Sequence, residues 1–144
     1  MIVNDSTNLL KECNAGTKMA YNSIDEVLGK VKSEKLKDVL KESKSHHEKL
    51  CDRIHGLLNE YGCEEKDISP IAGAMSWIKI NAKTAMDDSD RTIAELMTDG
   101  CDMGIKSLYK YKHQYKNADQ TVVDICDRLI DIEDKLEKEL REYL

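Results

Sequence analysis

The chain has 144 residues, 40% of them hydrophobic and 35% charged, and a formal net charge of −6. An acidic chain whose lysines and arginines alternate with acidic residues is not expected to bind nucleic acid, because a phosphate backbone attracts continuous basic stripes. Lys110, Lys112 and Lys116 lie near three tyrosines, which would fit a base-stacking surface, but lysines at a helix end produce the same pattern.

The sequence also predicts where the protein resides. No stretch approaches the roughly 18 consecutive apolar residues of a membrane span, and the N-terminus lacks the basic segment and apolar run of a secretory signal. The five cysteines are dispersed and include no Cys-x-x-Cys pair, so neither a disulfide framework nor a zinc knuckle is indicated. We therefore expect a reducing compartment, the cytoplasm.

The length is that of one ordinary compact domain, so a single domain is predicted over residues 1–144. Apolar residues recur every three or four positions along most of the chain, which predicts long helices and no strands. With one proline in the whole chain, few breaks interrupt these helices.

The first two helices have recognisable ends. The first is predicted to begin at Asp5 or Ser6, either of which could cap it. Gly29 marks the turn that follows, and Ser33 is the predicted N-cap of the second helix. Gly62 closes that second helix as a C-terminal stop.

A polar loop then leads to Ser69 and Pro70, the pattern of an N-cap followed by proline at the first helical position. It predicts a short third helix, which Asp87–Asp90 interrupt while supplying a cap for the fourth. The fourth helix carries Gly100 and Gly104 within its apolar stripe. Because glycine weakens a helix, we expect a close approach of another group at these positions.

A fifth helix follows Asn117, and its apolar residues are spaced nearly as a heptad. Together these elements predict an all-α fold, an antiparallel four-helix bundle in which the short third helix is a crossover between two hairpins. A crossover that spans the bundle makes the second and fourth helices run parallel. The alternative is an up-and-down bundle with one appended helix.

Three local phrases give the chain a resemblance to a known superfamily. They are Leu57-Leu58-Asn59-Glu60-Tyr61-Gly62, Ser69-Pro70-Ile71-Ala72-Gly73-Ala74 and Asp99-Gly100-Cys101-Asp102. With the predicted layout, they resemble the ferritin-like superfamily, closest to a bacterial ferritin-like domain family of unknown function. The resemblance covers nearly the whole chain and implies the ferritin-like bundle fold.

Ferritin-like relatives, rubrerythrin among them, hold paired iron with a carboxylate on each of two helices and Glu-x-x-His on each of the other two. Here the residues three positions before His46 and His47 are serine and lysine, and the fifth helix contains no histidine. An ordinary di-iron centre is therefore not expected. The resemblance then implies at most a smaller site with fewer ligands, formed by His47, Glu12 and Glu133, which could take iron or manganese.

Counting residues from each predicted turn places four side chains at about the same height along the bundle axis: Thr17, His47, Asp102 and Glu133. Asp102, however, lies on a stripe that looks solvated. A lone histidine on an apolar stripe is more often a hydrogen-bonded core residue than a metal ligand, so both interpretations of His47 stay open.

The same count from the turn between the first two helices places Cys13 and Cys51 at similar heights along the bundle axis. They could form a redox pair or a soft-metal site, although buried cysteine acting as a small hydrophobe is the commoner case. His55 and His113 are predicted on the surface, and the methionines, Met103 among them, in the core.

Two functions follow. The first is a cytoplasmic ferritin-like bundle of unknown role that is not an enzyme and acts through protein contacts, including self-association. Trp77 and Ile80 on the predicted crossover helix would form its contact surface. The second is a metal-binding or redox protein with a reduced site around His47.

Overall fold

The computed structural model describes residues 4–63 and 87–144. They form four long helices, α1 (Asp5–Leu28), α2 (Glu34–Glu60), α3 (Asp90–Gln114) and α4 (Gln120–Leu140), and a final 3₁₀ helix, Arg141–Tyr143. These residues include no strand, so the predicted all-α bundle is confirmed. The predicted crossover helix, with Trp77 and Ile80, lies outside the described residues.

Two hydrophobic clusters fill the described bundle, one toward each end. The upper cluster includes Val27, Leu36, Ile93 and Leu140. The lower cluster includes Leu9, Leu58, Leu108 and Val122. None of the four described helices has a segment long and apolar enough to cross a membrane.

Membership of these clusters fixes the direction of each helix. α1 and α4 run from the lower cluster to the upper one, whereas α2 and α3 run from the upper to the lower. Because α2 and α3 are parallel, Cys63 after α2 and Asp87 before α3 lie at opposite ends of the bundle. Helices α2 and α3 are the predicted second and fourth helices, so the prediction that these two run parallel is confirmed. The up-and-down alternative is wrong, because it needs α2 and α3 to be antiparallel.

Helix α1 begins at Asp5, as predicted, but its N-cap differs from the prediction. Its N-cap is Asn4, whose Oδ1 accepts a hydrogen bond at 2.7 Å from the backbone N–H three residues on. Asp5 and Ser6 lie inside the helix, where their side chains accept from the backbone N–H groups of Asn117 at 2.9 Å and Asp119 at 2.7 Å. The two residues expected to cap α1 thus fasten it to the α3–α4 turn.

Both ends of α2 follow the predicted signals. Ser33 caps α2 by accepting from the N–H of Leu36 at 3.2 Å, and Gly62 ends it with a φ of +80°. Asp90, at the start of α3, accepts from the N–H groups of Lys32 and Ser33, both at 2.9 Å. One carboxylate therefore joins the α1–α2 turn to α3.

Candidate functional site

A polar layer separates the two hydrophobic clusters. Each helix contributes a residue that falls between its upper-cluster and lower-cluster residues: Thr17, His47, Gly104 and Glu133. Thr17, His47 and Glu133 are buried, at the common height predicted from the turns. Asp102 is exposed, as its solvated stripe predicted, and on α3 it is Gly104, two residues later, that faces the interior.

Glu133 on α4 is only 2% exposed, and its Oε2 has no hydrogen-bond partner within the described part of the chain. A Cβ at position 104 would lie 2.7 Å from that oxygen, so the missing side chain of Gly104 leaves the room that the carboxyl group takes. Burial raises the pKa of Glu133 well above its usual value, and the charge of Cys126 adds to the effect. The buried carboxyl group therefore keeps its proton to higher pH than an exposed one.

His47 on α2 is fully buried. Its Nδ1–H donates to the backbone carbonyl of Ser43 at 2.8 Å, an assignment that follows from the acceptor it meets. Burial lowers its pKa to about 4, against the opposing hydrogen bond to Ser43, and the charge of His46 lowers it further. The imidazole is therefore neutral at neutral pH, and its Nε2 has no hydrogen-bond partner among the described residues.

Glu12 on α1 is buried, with 2% of its surface exposed. Its neighbour across the bundle is Tyr111 on α3. The pKa of Tyr111 is raised first by burial, then by the charge of Glu12 and by a hydrogen bond to it. Glu12 is thus engaged with the tyrosine end of α3.

A paired-iron centre does not fit these residues. It needs four carboxylates and two histidines, whereas the buried acidic and histidine side chains of residues 4–63 and 87–144 are Glu12, His47 and Glu133. Within the same ranges, no three His, Cys, Asp or Glu side chains come close enough to hold a metal ion. The three predicted ligands therefore do not form one ready-made metal cluster.

Cys13 and Cys51 each contact a residue of a neighbouring helix. Cys13 hydrogen-bonds with Cys126 on α4, and that bond, followed by burial, raises the pKa of Cys13 well above its usual value. Cys51 on α2 lies 3.7 Å, Sγ to Oδ1, from Asn14 of α1. Cys13 and Cys51 are both buried free thiols, as the commoner interpretation expected, and the contacts found for them are with Cys126 and Asn14 and not with each other.

Cys51 belongs to a second polar cluster, with Asn14 and His55. The Nε2 atom of His55 lies 3.7 Å from Cys51 Sγ and 2.8 Å from Asn14 Oδ1. His55 is half-buried, so it lies at the surface as predicted while one edge of its ring packs against α1. The spacing of Cys51 and His55, four residues apart on one helix, was a signal that the sequence offered and that the prediction missed.

The lysine and tyrosine patch at the end of α3 is engaged within the chain. Lys112 pairs with Asp127 at 2.5 Å and lies 5.5 Å above the ring of Tyr109. Tyr111 and Tyr115 stack on each other with ring centroids 6.5 Å apart. These contacts favour the interpretation of the lysines as residues of a bundle helix end.

The directions of the helices and the polar layer together define an all-α four-helix bundle, in which α2 and α3 are parallel and a small polar site is buried. Residues 5–114 match the family described as Domain of unknown function (DUF2383), and the chain belongs to that family. The match includes α1, α2 and α3, whereas α4, with Glu133, follows the matched residues. No curated protein and no solved structure matches the chain.

Proposed function

We propose that this chain is a ferritin-like bundle that acts by binding protein chains, a second copy of itself included, and not through paired-iron chemistry. The observation that carries the proposal is the content of the polar layer. Between its two hydrophobic clusters the described bundle offers one buried imidazole and one buried carboxyl group, where paired iron would need four carboxylates and two histidines. Gly104 provides the space for that carboxyl group, so the layer is closely packed.

Helix directions support the ferritin-like part of the proposal. A bundle of two hairpins with parallel α2 and α3 is the wiring of ferritin-like folds, which have one long crossover connection. Up-and-down bundles lack this feature. The wiring supports a fold relationship, and the function of the chain has to come from its own side chains.

The outer surface supports the binding part. Met103 and Tyr109 on α3 are 53% and 48% exposed, and Leu144 is 54% exposed. The position of Met103 corrects the expectation that it would fill the core. A symmetric pair of copies, the commonest arrangement of soluble oligomers, could bury these side chains.

Light scattering of the untagged full chain, over a range of concentrations, tests self-association. We expect a mass above the 16.4 kDa of one chain, falling toward that value in Met103→Ser and Tyr109→Ser. Lys110→Ser is the matched control, because Lys110 is exposed on the same helix but charged. A monomer at every concentration would remove self-association from the proposal.

A second candidate function is the binding of one iron or manganese ion in the polar layer. It is favoured by two buried atoms without hydrogen-bond partners in the described ranges, His47 Nε2 and Glu133 Oε2. Buried polar atoms in this state often indicate an ion or water. Neutral His47 would offer a lone pair, and Glu133 would have to release its proton.

Elemental mass spectrometry of protein purified without chelators or a histidine tag tests this candidate. Stoichiometric iron or manganese that is lost in His47→Ala, and kept in the exposed-residue control His113→Ala, would support it. Equal metal content in both variants would reject it. Either result is independent of the light-scattering measurement.

A further inference from the structure

The cluster of Cys51, His55 and Asn14 forms a compact triangle of three metal-donor atoms at the α1–α2 interface. Its edges are 3.7 Å from Sγ to Nε2, 3.7 Å from Sγ to Oδ1 and 2.8 Å from Nε2 to Oδ1. Two helices hold it together, since Asn14 comes from α1 and the other two residues from α2. The Asn14 and Cys51 side chains are buried, and half-buried His55 connects the triangle to the surface.

These edge lengths are compatible with the bond lengths between a zinc ion and its ligands. Zinc lies about 2.3 Å from a cysteine sulfur, about 2.0–2.1 Å from a histidine nitrogen and about 2.0–2.2 Å from an oxygen ligand. With the three donors fixed where they are, a point at these distances exists on either side of the triangle. The spacing of the three donor atoms is therefore compatible with one shared ion.

We propose that Cys51, His55 and Asn14 bind one divalent transition-metal ion of the zinc class, with the remaining coordination position open to water. Thiolate and imidazole are the ligands that zinc and cobalt prefer, and the amide oxygen completes three donors. On binding, the thiol proton of Cys51 leaves to solvent and a sulfur–metal bond forms. The imidazole stays neutral and passes its remaining proton to Nδ1.

Nearby charge favours a cation. Glu48, Asp52 and Asp25 contribute, together with Cys51 and after burial, to the raised pKa of Tyr21. Of these carboxylates, Asp25 is paired with Lys44 at 2.7 Å, which offsets part of the negative charge near Tyr21 and Cys51. A divalent ion bound there would be attracted by these carboxylates as well as by its ligands.

This site differs from the polar layer and from the surface in the proposed function. It uses two strong ligands and an amide, so it contains fewer than three His, Cys, Asp or Glu side chains. It needs no residue of α3 or α4. The site goes beyond the proposed function and can fail or succeed without affecting it.

Titration of the untagged, reduced full chain with Co²⁺, followed by absorption spectroscopy, tests the site. We expect one Co²⁺ per chain, a near-ultraviolet thiolate-to-cobalt charge-transfer band, and displacement of cobalt by Zn²⁺. Cys51→Ser should remove the band, and His55→Gln should weaken binding by about tenfold or more. Circular dichroism shows whether each variant keeps its helices.

Matched controls separate this site from other thiols and imidazoles. Cys63→Ser and His46→Gln change a half-buried cysteine and a half-buried histidine outside the cluster and should leave the titration unchanged. Asn14→Asp replaces a neutral donor by a carboxylate and should tighten cobalt binding. A wild-type chain without the band, a band that survives Cys51→Ser, or one lost in Cys63→Ser would overturn the proposal.

Discussion

Gly104 and Glu133 are complementary in shape: the α3 glycine leaves the space that the α4 carboxyl group fills. A Cβ at position 104 would lie 2.7 Å from Oε2 and 2.9 Å from Oε1 of Glu133. The close approach expected at the α3 glycines is therefore made at Gly104 by a side chain of the neighbouring helix. This contact sets the packing of the polar layer.

Gly104→Ala should destabilise the protein, because the new methyl group would collide with a buried side chain. Overpacking of this kind typically costs about 1–3 kcal/mol in the free energy of unfolding, of which the helix propensity of alanine offsets about 0.5–1 kcal/mol. Gly56→Ala is the matched control, since no atom lies within 4 Å of a Cβ built at that position in α2. It should stabilise the protein by about 0.5–1 kcal/mol through helix propensity. Urea unfolding measures both.

Glu133→Ala in the Gly104→Ala background should remove most of the clash. The double-mutant cycle is then expected to show a coupling free energy of about 1 kcal/mol or more, as for residues in direct contact. Additive effects of the two substitutions would contradict the contact.

Glu133→Gln should change how stability depends on pH. The native pKa of Glu133 is raised above its usual value. Its contribution to stability is therefore fully present below about pH 4.5 and declines as pH rises toward the native pKa, by up to about 1.4 kcal/mol per pH unit. The variant lacks this ionisation, so its advantage over the wild type should grow from pH 5 to pH 8. A constant difference across that range would show that Glu133 does not titrate as a buried acid.

His47→Gln should also change how stability depends on pH, but in the acidic range, where the stability of the wild type falls as pH falls. Because burial lowers the His47 pKa to about 4, the unfolded chain binds a proton between about pH 6.5 and pH 4 that the native chain does not. The wild type should lose about 2 kcal/mol of stability at pH 5 through this residue. Thermal unfolding between pH 7 and pH 5 should show a smaller loss for the variant, and an equal loss would count against a neutral buried imidazole.

Asp90→Ala should weaken the junction of α3 with the α1–α2 turn. The Asp90 carboxylate accepts two backbone hydrogen bonds, from Lys32 and Ser33, and its removal should cost about 1.5–3 kcal/mol. The control is Asp88→Ala, because the 3.4 Å pair of Asp88 with Lys32 is exposed. Exposed pairs contribute about 0–1 kcal/mol. Similar effects of the two substitutions in chemical denaturation would contradict this difference.

Much of the fold could be predicted from the sequence because its signals are local. Apolar spacing, the Ser33 cap and the Gly62 stop each depend on residues within one or two turns, and the structure confirms them. The cap of α1 was wrong because Asp5 and Ser6 bind the α3–α4 turn, more than 100 residues away. A contact at that separation leaves no periodic signal in a single sequence.

The polar sites were harder to predict for the same reason. Heights counted from turns predict a layer, and the solvated stripe of Asp102 is confirmed by its exposure, but the counts do not say which α3 residue points inward in its place. The contact of Cys51 and His55 with Asn14 depends on how α1 rotates against α2, which helical periodicity leaves undetermined. Pairwise contacts across helices therefore needed the structure.

The central claim is that this chain does not act through paired-iron chemistry, and elemental mass spectrometry tests it most directly. The measurement compares the metal content of the wild type, His47→Ala and Cys51→Ser, each untagged and purified without chelators. The account predicts that no variant or wild-type sample holds two iron atoms per chain, and that any single bound metal ion of the zinc class is lost in Cys51→Ser and kept in His47→Ala. Two iron atoms per chain in the wild type, lost in His47→Ala, would contradict it.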